Sequence, residues 1–347
     1  MTFLPTGEQL AFARSLDAML AAADTPAAVR AWAGDDPDPG RALWGRLAEA
    51  GVCALAVPEE YEGMGPLPVE LAHAFVALGR HAVPGPVVET VAAAVLLGEL
   101  ARLGDRGPAK RLLPALATGE RTATLALAGA EDVRGGTEDV RERALPYALD
   151  ADRADTVLVV RGERLWRAPG HGPVRASADP ARRLARPASG GELLAEGPAV
   201  AVAAERARRW AMLATAAQSL GVGLALLDRT VAYARQRSQF GTPIGAFQAV
   251  KHRLADTLLA LEFARPLLFG AAVGLADGHA PDGDLAAAKV TTGEAAYTAA
   301  RTALQIHGAI GYTEELALSL WLRKARPLRD AWGDPATCRA AVLRACS

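Results

Sequence analysis

"ARQRSQFGTPIGAFQAVKHRLAD" (234–256) is the stretch on which the fold reading turns. Before it, Leu213, Ala217, Leu220, Leu224, Leu227 and Val231 step by four and three. That spacing puts them on one stripe of a long helix, expected to end near Arg237. "FGTPIGAFQ" (240–248) reads as a turn, because Gly and Pro punctuate it. A second long helix follows, expected to kink at Pro266, whose missing N–H removes an i→i−4 bond. Residues 282–308 read as a third helix, capped by Asp282 or Asp284 and ended by Gly308. A fourth covers roughly 314–330. Four long helices with short links predict an antiparallel bundle over 201–347.

Upstream of the bundle the texture changes twice. Residues 1–118 read as helical: Leu10, Ala13, Leu16, Met19 and Leu20 share one face, "RALWGRLAEAG" (41–51) stops at Gly51, and "PGP" (84–86) separates two further helices. "VCALAVPEEYEGMGPLP" (52–68) is a loop. Residues 119–200 carry β-favouring runs, "TATLALA" (122–128) and "DTVLVVRGERLWRA" (155–168), among Gly and Pro. The expected fold is mainly α with a small central β domain: a helical domain over 1–118, a short β domain over 119–200 and the bundle over 201–347.

Composition narrows the function classes. The 38 Lys+Arg against 39 Asp+Glu leave no strong field for nucleic acid or an acidic membrane face. Cys53, Cys338 and Cys346 have no metal-ligand spacing, and the histidines do not cluster with them, so no metal site is expected. Unpaired cysteine usage and a start lacking a basic-then-apolar leader point to a cytoplasmic protein. Each apolar run is broken by Arg, Asp or Gly, so no membrane span is expected. Phosphate-loop, dinucleotide-loop and serine-elbow motifs are absent from the sequence.

Two places in the bundle carry chemistry. Arg237 at a helix end, Phe240-Gly241 in the turn and Phe247-Gln248 at the next helix start make a corner. Arginine gives bidentate phosphate contacts, and a helix N-terminus favours anions. The plain alternative is an arginine-capped corner. "ALQIHGAIGYTEE" (303–315) sets Gln305 before Gly308 and Gly311, glycines that let a ligand approach the backbone. His307 reads as a packed or capping histidine rather than a catalyst.

Taken together, R-x-x-F-G-x-x-I-x-x-F-Q and the later Q-x-x-G-x-x-G-Y-T resemble the acyl-CoA dehydrogenase family. "LAVPEEYEGMG" (55–65) and "LLPALATGE" (112–120) are similar to that family's VPE and L-P-x-x-x-x-G-E signatures. The resemblance covers essentially the whole chain. It implies FAD as cofactor and an acyl-CoA thioester as substrate, oxidised to the trans-2-enoyl-CoA. It also implies an electron-transfer flavoprotein as acceptor and a dimer or tetramer in which each FAD lies between neighbouring subunits. Carried over, Arg237, Phe240 and Gln248 match contacts to the cofactor, and Gln305 and Gly308 match the loop beside a neighbour's pyrophosphate and ribose. Ala309 departs from the family's second glycine.

Two larger departures bear on the reaction. Where the family reads T-E-P-x-x-G-S-D to hold the flavin ring, this chain reads "LALAGAEDVRGGTEDV" (125–140). Matching "RKARPLRDAWGDPATCR" (323–339) to the family's catalytic end puts Trp332 at the glutamate and Gly333 on the motif's glycine. The alternative base position on the first bundle helix falls near Ala211. A thioester α-proton is weakly acidic, and a positioned carboxylate contributes about 10²–10⁴-fold. Indole cannot accept that proton. Asp330, Asp334, Glu314 and Glu315 remain as substitutes of poor placement, the two glutamates reading as helix N-terminal acids. The pattern implies a subunit that lacks the base and completes a partner's FAD site. It is similar to the partner subunits of heteromeric actinobacterial acyl-CoA dehydrogenases in steroid and branched side-chain degradation. The alternatives are a complete divergent dehydrogenase with another base, a flavin monooxygenase of the same fold, and a flavin-free binding protein.

Overall fold

The computed structural model describes residues 5–128 and 146–346. It is mostly helical with a small sheet, as the periodicity predicts. By packing, the chain divides into two compact units: Met1–Pro26, Pro68–Val83 and Met212–Ser347 in one, and Ala27–Leu67 with Pro84–Ala211 in the other.

The first unit holds helices α1 (Gly7–Ala21), α4 (Pro68–Arg80), α8 (Gln248–Ala276), α9 (Asp282–His307), α10 (Leu318–Asp330) and α11 (Pro335–Cys346), with the greater part of α7 (Pro198–Gln236). A capping box starts α1: the Gln9 N–H donates to Thr6 Oγ1 and the Thr6 N–H to Gln9 Oε1. Leu16 and Leu20 are its buried residues; Leu10 is exposed. Helices α4 and α7 meet backbone to backbone. A Cβ on Gly79 would collide with Gln218 O, and one on Gly221 with Val76 O. Only glycine permits that approach.

The bundle differs from the sequence reading in particulars. Helix α8 is unbroken at Pro266, which a kink at the proline does not oppose. Helix α9 is preceded by Pro281, with no side-chain cap, and Asp282 and Asp284 lie in its first turn. Helix α10 starts only at Leu318, so Glu314 and Glu315 precede it and are not its first-turn acids. Helix α11 was not expected. Trp332 and Gly333, both at positive φ (55° and 134°), end the preceding run. Asp334 then caps the new helix, accepting from the Ala336 and Thr337 N–H groups, and Pro335 takes its first position.

The second unit holds α2 (Thr25–Ala33, in part), α3 (Asp38–Glu49), α5 (Val87–Arg102) and α6 (Gly107–Ala117), with the sheets. Gly51, at φ 78°, follows α3 as expected, and the loop after it is wound into two short 3₁₀ turns, Val52–Ala56 and Glu59–Tyr61. Strands β1 (Ala123–Ala128), β3 (Thr156–Arg161), β4 (Arg164–Arg167) and β6 (Glu192–Glu196) form one sheet in that order. β1 and β3 are parallel; the other two pairings are antiparallel. β2 (Ala148–Leu149) pairs with β5 (Leu184–Ala185). Of the stretch 125–140, residues 129–140 lie outside the described residues.

Two helices, α7 and α8, are long and apolar enough by length and composition to cross a membrane, so the polar breaks are sparser than the sequence reading held. The apolar window of α7 is wholly buried in the protein, as a core helix requires; that of α8 is 33% buried. Leu258, Leu259, Phe263 and Leu267 of α8 face outward.

Candidate functional site

The corner is a hairpin. Strand β7 (Ser238–Gln239) pairs with β8 (Thr242–Pro243) across Phe240-Gly241. Both loop residues have positive φ (53° and 77°), the geometry of a two-residue hairpin turn. Glycine adopts it freely; phenylalanine does so at a cost of about 1–3 kcal/mol. Phe240 is also 95% exposed, with only an edge contact to Phe247 at 6.4 Å between centroids. The Arg237 carbonyl accepts from Ile244 N–H at 2.8 Å, which ties the hairpin to the end of α7. The Arg237 side chain and Gln248, the first residue of α8, are both exposed.

The second glycine stretch lies at the same end of the bundle. Gln305 is in the last turn of α9, and its Oε1 accepts from Arg253 of α8. Gly308 follows at φ 64° and ψ −141°, ending α9 as expected. An open cavity of about 420 Å³ is lined by Arg301, Leu304, Gln305, Gly308 and Ala309. The Ala309 side chain is thus part of its wall. His307 is buried, bonded to Ala303 O at 2.8 Å and stacked on Tyr233 at 4.1 Å; burial holds its pKa down. It is a packed residue.

The Trp332 turn lies elsewhere. Lys289 of α9 is fully buried, and its ammonium donates to Arg329 O (2.9 Å) and Gly333 O (3.1 Å). It thereby clamps the turn that carries Trp332. A Cβ on Gly333 would come within 3.0 Å of Cys338 Sγ and 3.1 Å of Met212 Cε, so the turn is tightly packed. Lys289 and Gln305 stand about 24 Å apart along α9 at 1.5 Å per residue. The structure therefore brings Arg237, Phe240, Gln248, Gln305 and Gly308 to one end of the bundle and keeps Trp332 away from them.

The four substitute carboxylates differ in what they touch. The Asp334 carboxylate is engaged as a cap, and its bonds from the Thr337 hydroxyl and N–H hold its pKa down. A carboxylate stabilised in its charged form is a weaker base. Asp330 is exposed at the end of α10. Glu314 is exposed and pairs with Arg323 at 2.9 Å; Glu315 is exposed beside it. Ala211, on α7, is wholly buried and has no polar group to offer.

Lys289 was missed by the sequence reading. The available signal was a lysine on the same stripe as Leu285, Ala286, Thr292 and Gly293, all buried small or apolar positions. Lys289→Met keeps the bulk and removes the ammonium that donates to the part-buried Arg329 and Gly333 carbonyls. The expected loss is about 2–4 kcal/mol of unfolding free energy, read by denaturant titration. A loss below 0.5 kcal/mol, roughly the scale of a surface substitution, would show that the clamp contributes nothing.

The acyl-CoA dehydrogenase N-terminal domain matches residues 6–120 of the chain, and the acyl-CoA dehydrogenase C-terminal domain matches residues 200–346. Acyl-CoA dehydrogenase IpdE2 of Mycobacterium tuberculosis is 34% identical over 326 residues, 92% of each chain. The chain belongs to the acyl-CoA dehydrogenase family. Solved structures agree on the fold. A chain of the ChsE4-ChsE5 complex from Mycobacterium tuberculosis superposes with a TM-score of 0.80 at 24% identity, covering 100% of this chain and 99% of that one. PigA with FAD and proline superposes at 0.82 and 19% identity, with the same coverage.

Proposed function

We propose that this chain is a subunit of an acyl-CoA dehydrogenase that lacks the catalytic glutamate and completes the FAD site of a partner subunit of the same family. The observation that carries the reading is Phe240. An aromatic ring held in the left-handed region and 95% exposed incurs two costs, against which the described residues set only the edge contact with Phe247. A neighbouring subunit with a bound flavin offsets both.

The residues at this end of the bundle fit such a cofactor. Arg237 would pair with the diphosphate, Phe240 and Gln248 would flank the adenosine side, and Gln305 and Gly308 would lie along pyrophosphate and ribose. The cavity of about 420 Å³ beside Gln305 leaves room for these groups, and Arg301 adds positive charge to its wall. When bound, the flavin would supply an acceptor for the hydride leaving the acyl β-carbon, and an electron-transfer flavoprotein would be its oxidant. This chain's residues bind and orient, while the partner's own glutamate removes the α-proton. The outward apolar face of α8 supports association with another family subunit, since Leu258, Leu259, Phe263 and Leu267 would otherwise remain in water. The complex named for ChsE4 and ChsE5 supports an assembly of two different chains.

The test is flavin stoichiometry after co-expression with a family member that carries the glutamate. One flavin per two chains, with turnover of an acyl-CoA only in the mixed assembly, is the expected result. One flavin per chain in this protein purified alone overturns the proposal and favours a complete enzyme with another base.

A further inference from the structure

The end of the bundle that carries Arg237 holds two further arginines outside the family motifs, Arg253 on α8 and Arg301 on α9. Contacts between the two helices bring them to one place. Thr257 Oγ1 bonds Thr302 Oγ1 at 3.3 Å, which sets the register of α8 against α9. One turn nearer the end of the bundle, Arg253 donates to Gln305 Oε1. Gln305 lies four residues after Arg301 and so shares its face of α9. Arg253 and Arg301 therefore approach Gln305 from two helices. Arg301, Gln305 and Gly308 line the cavity of about 420 Å³, a size within the range of small-molecule sites, roughly 300–1,000 Å³. Gly308 stands at φ 64°, and a Cβ built on it would meet nothing within 4 Å, so its backbone is open to a ligand.

The pair is not neutralised within the chain. Both side chains are exposed, and neither forms an ion pair among the described residues. Other arginines of the same two-helix surface are committed: Arg265 of α8 pairs with Glu262 three residues back at 2.9 Å, and Arg329 pairs with Glu294 of α9 at 2.9 Å. Arg253 has Asp256 three residues on, yet reaches across to α9 instead. Guanidinium groups take phosphate oxygens in bidentate, charge-assisted contacts. With Arg237 at the same end, three such groups face the cavity's surroundings, more than a single phosphate can engage in that way. Helix α8 also begins here without a side-chain cap, so its positive end offsets the carbonyl end of α9.

We infer, resting on the flavin reading for the identity of the nucleotide, that Arg253 and Arg301 are further phosphate-binding residues and that the ligand class this chain recognises by itself is a nucleoside diphosphate, the ADP half of the cofactor rather than its flavin ring. The two arginines take the diphosphate from the α8 and α9 sides, and Arg237 takes it from the hairpin.

The experiment is isothermal calorimetry in phosphate-free buffer on the full chain, purified without a partner, with ADP, AMP and riboflavin as probes. ADP is expected to bind at one site per chain, at least tenfold tighter than AMP, and riboflavin is expected not to bind. Arg253→Gln and Arg301→Gln each remove one guanidinium from an exposed position. Each is expected to weaken ADP about tenfold, the size of one charge-assisted contact, and to narrow the difference between ADP and AMP. Arg235→Gln removes a cation from the last turn of α7, outside the cavity wall, and is expected to leave ADP binding unchanged. Absence of ADP binding overturns the inference. So does equal binding of ADP and AMP, or ADP binding that neither glutamine variant weakens. An equal loss in Arg235→Gln also overturns it, since the end of the bundle would then act only as a diffuse basic field. The outcome is separable from flavin stoichiometry. One flavin per two chains can be found while these variants have no effect, and ADP can bind as expected in a protein that carries one flavin per chain.

Discussion

Arg237→Ala is expected to lower the affinity of the assembled protein for FAD by ten- to a hundredfold and to leave the fold intact. A hydrogen bond to a charged group contributes about 1.5–3 kcal/mol, and each 1.4 kcal/mol is a factor of about ten. The Arg237 side chain is exposed, so its truncation opens no cavity. Its backbone bonds, from its own N–H to Tyr233 O and from Ile244 N–H to its carbonyl, do not depend on the side chain. Flavin absorbance per chain after dialysis measures the affinity, and circular dichroism with a melting curve checks the fold. Arg237→Lys keeps the charge without the bidentate fork and should fall between the two. Unchanged flavin retention in Arg237→Ala would remove this residue from the cofactor site, whatever the stoichiometry of the assembly.

The second large effect is on stability and comes from a residue the sequence did not single out. Asp150 is fully buried at φ 51°, and its Oδ1 accepts from Trp32 Nε1 at 3.0 Å. Burial pushes its carboxyl up to about 7. The Trp32 bond and a bond from Arg183 N–H pull it down, while Glu89 and Asp152 raise it further. Arg183 and Arg153 bond the Ala33 and Gly34 carbonyls and Asp152 nearby. The folded protein therefore keeps a proton on Asp150 that the unfolded chain gives up near pH 4. Where the folded state binds more protons, stability falls as pH rises, by up to about 1.4 kcal/mol per pH unit. The fall begins near the unfolded pKa and levels off above about pH 7.

Asp150→Asn removes the ionisation and keeps an oxygen for the Trp32 N–H. Asparagine also tolerates the left-handed region. Between pH 4 and pH 8 the stability of the variant relative to the natural chain is expected to shift in its favour by ~4 kcal/mol. Urea denaturation at several pH values reads this directly. A difference that does not vary with pH would show that Asp150 is ionised in the folded protein across the range.

Much of the bundle was legible from local pattern. The stripe from Leu213 to Val231 and the stop at Gly308 are consequences of periodicity and of which residue can leave a helix, and both are observed. The fixed spacing from Arg237 to Gln248 identified the corner because a hairpin and a helix start leave little freedom between those positions.

What the sequence by itself determined, then, is the order of helices and the family motifs, because each is set by residues close together in the chain. The tertiary structure alone decided which charges are buried and which rings are exposed. Lys289 meets Gly333, Asp150 meets Trp32 and His73 meets Phe269 across long stretches of chain. It also left Phe240 in water at positive φ. Burial and pairing depend on what the rest of the chain brings alongside, and the physical cost of a lone charge or an exposed ring exists only once those neighbours are in place.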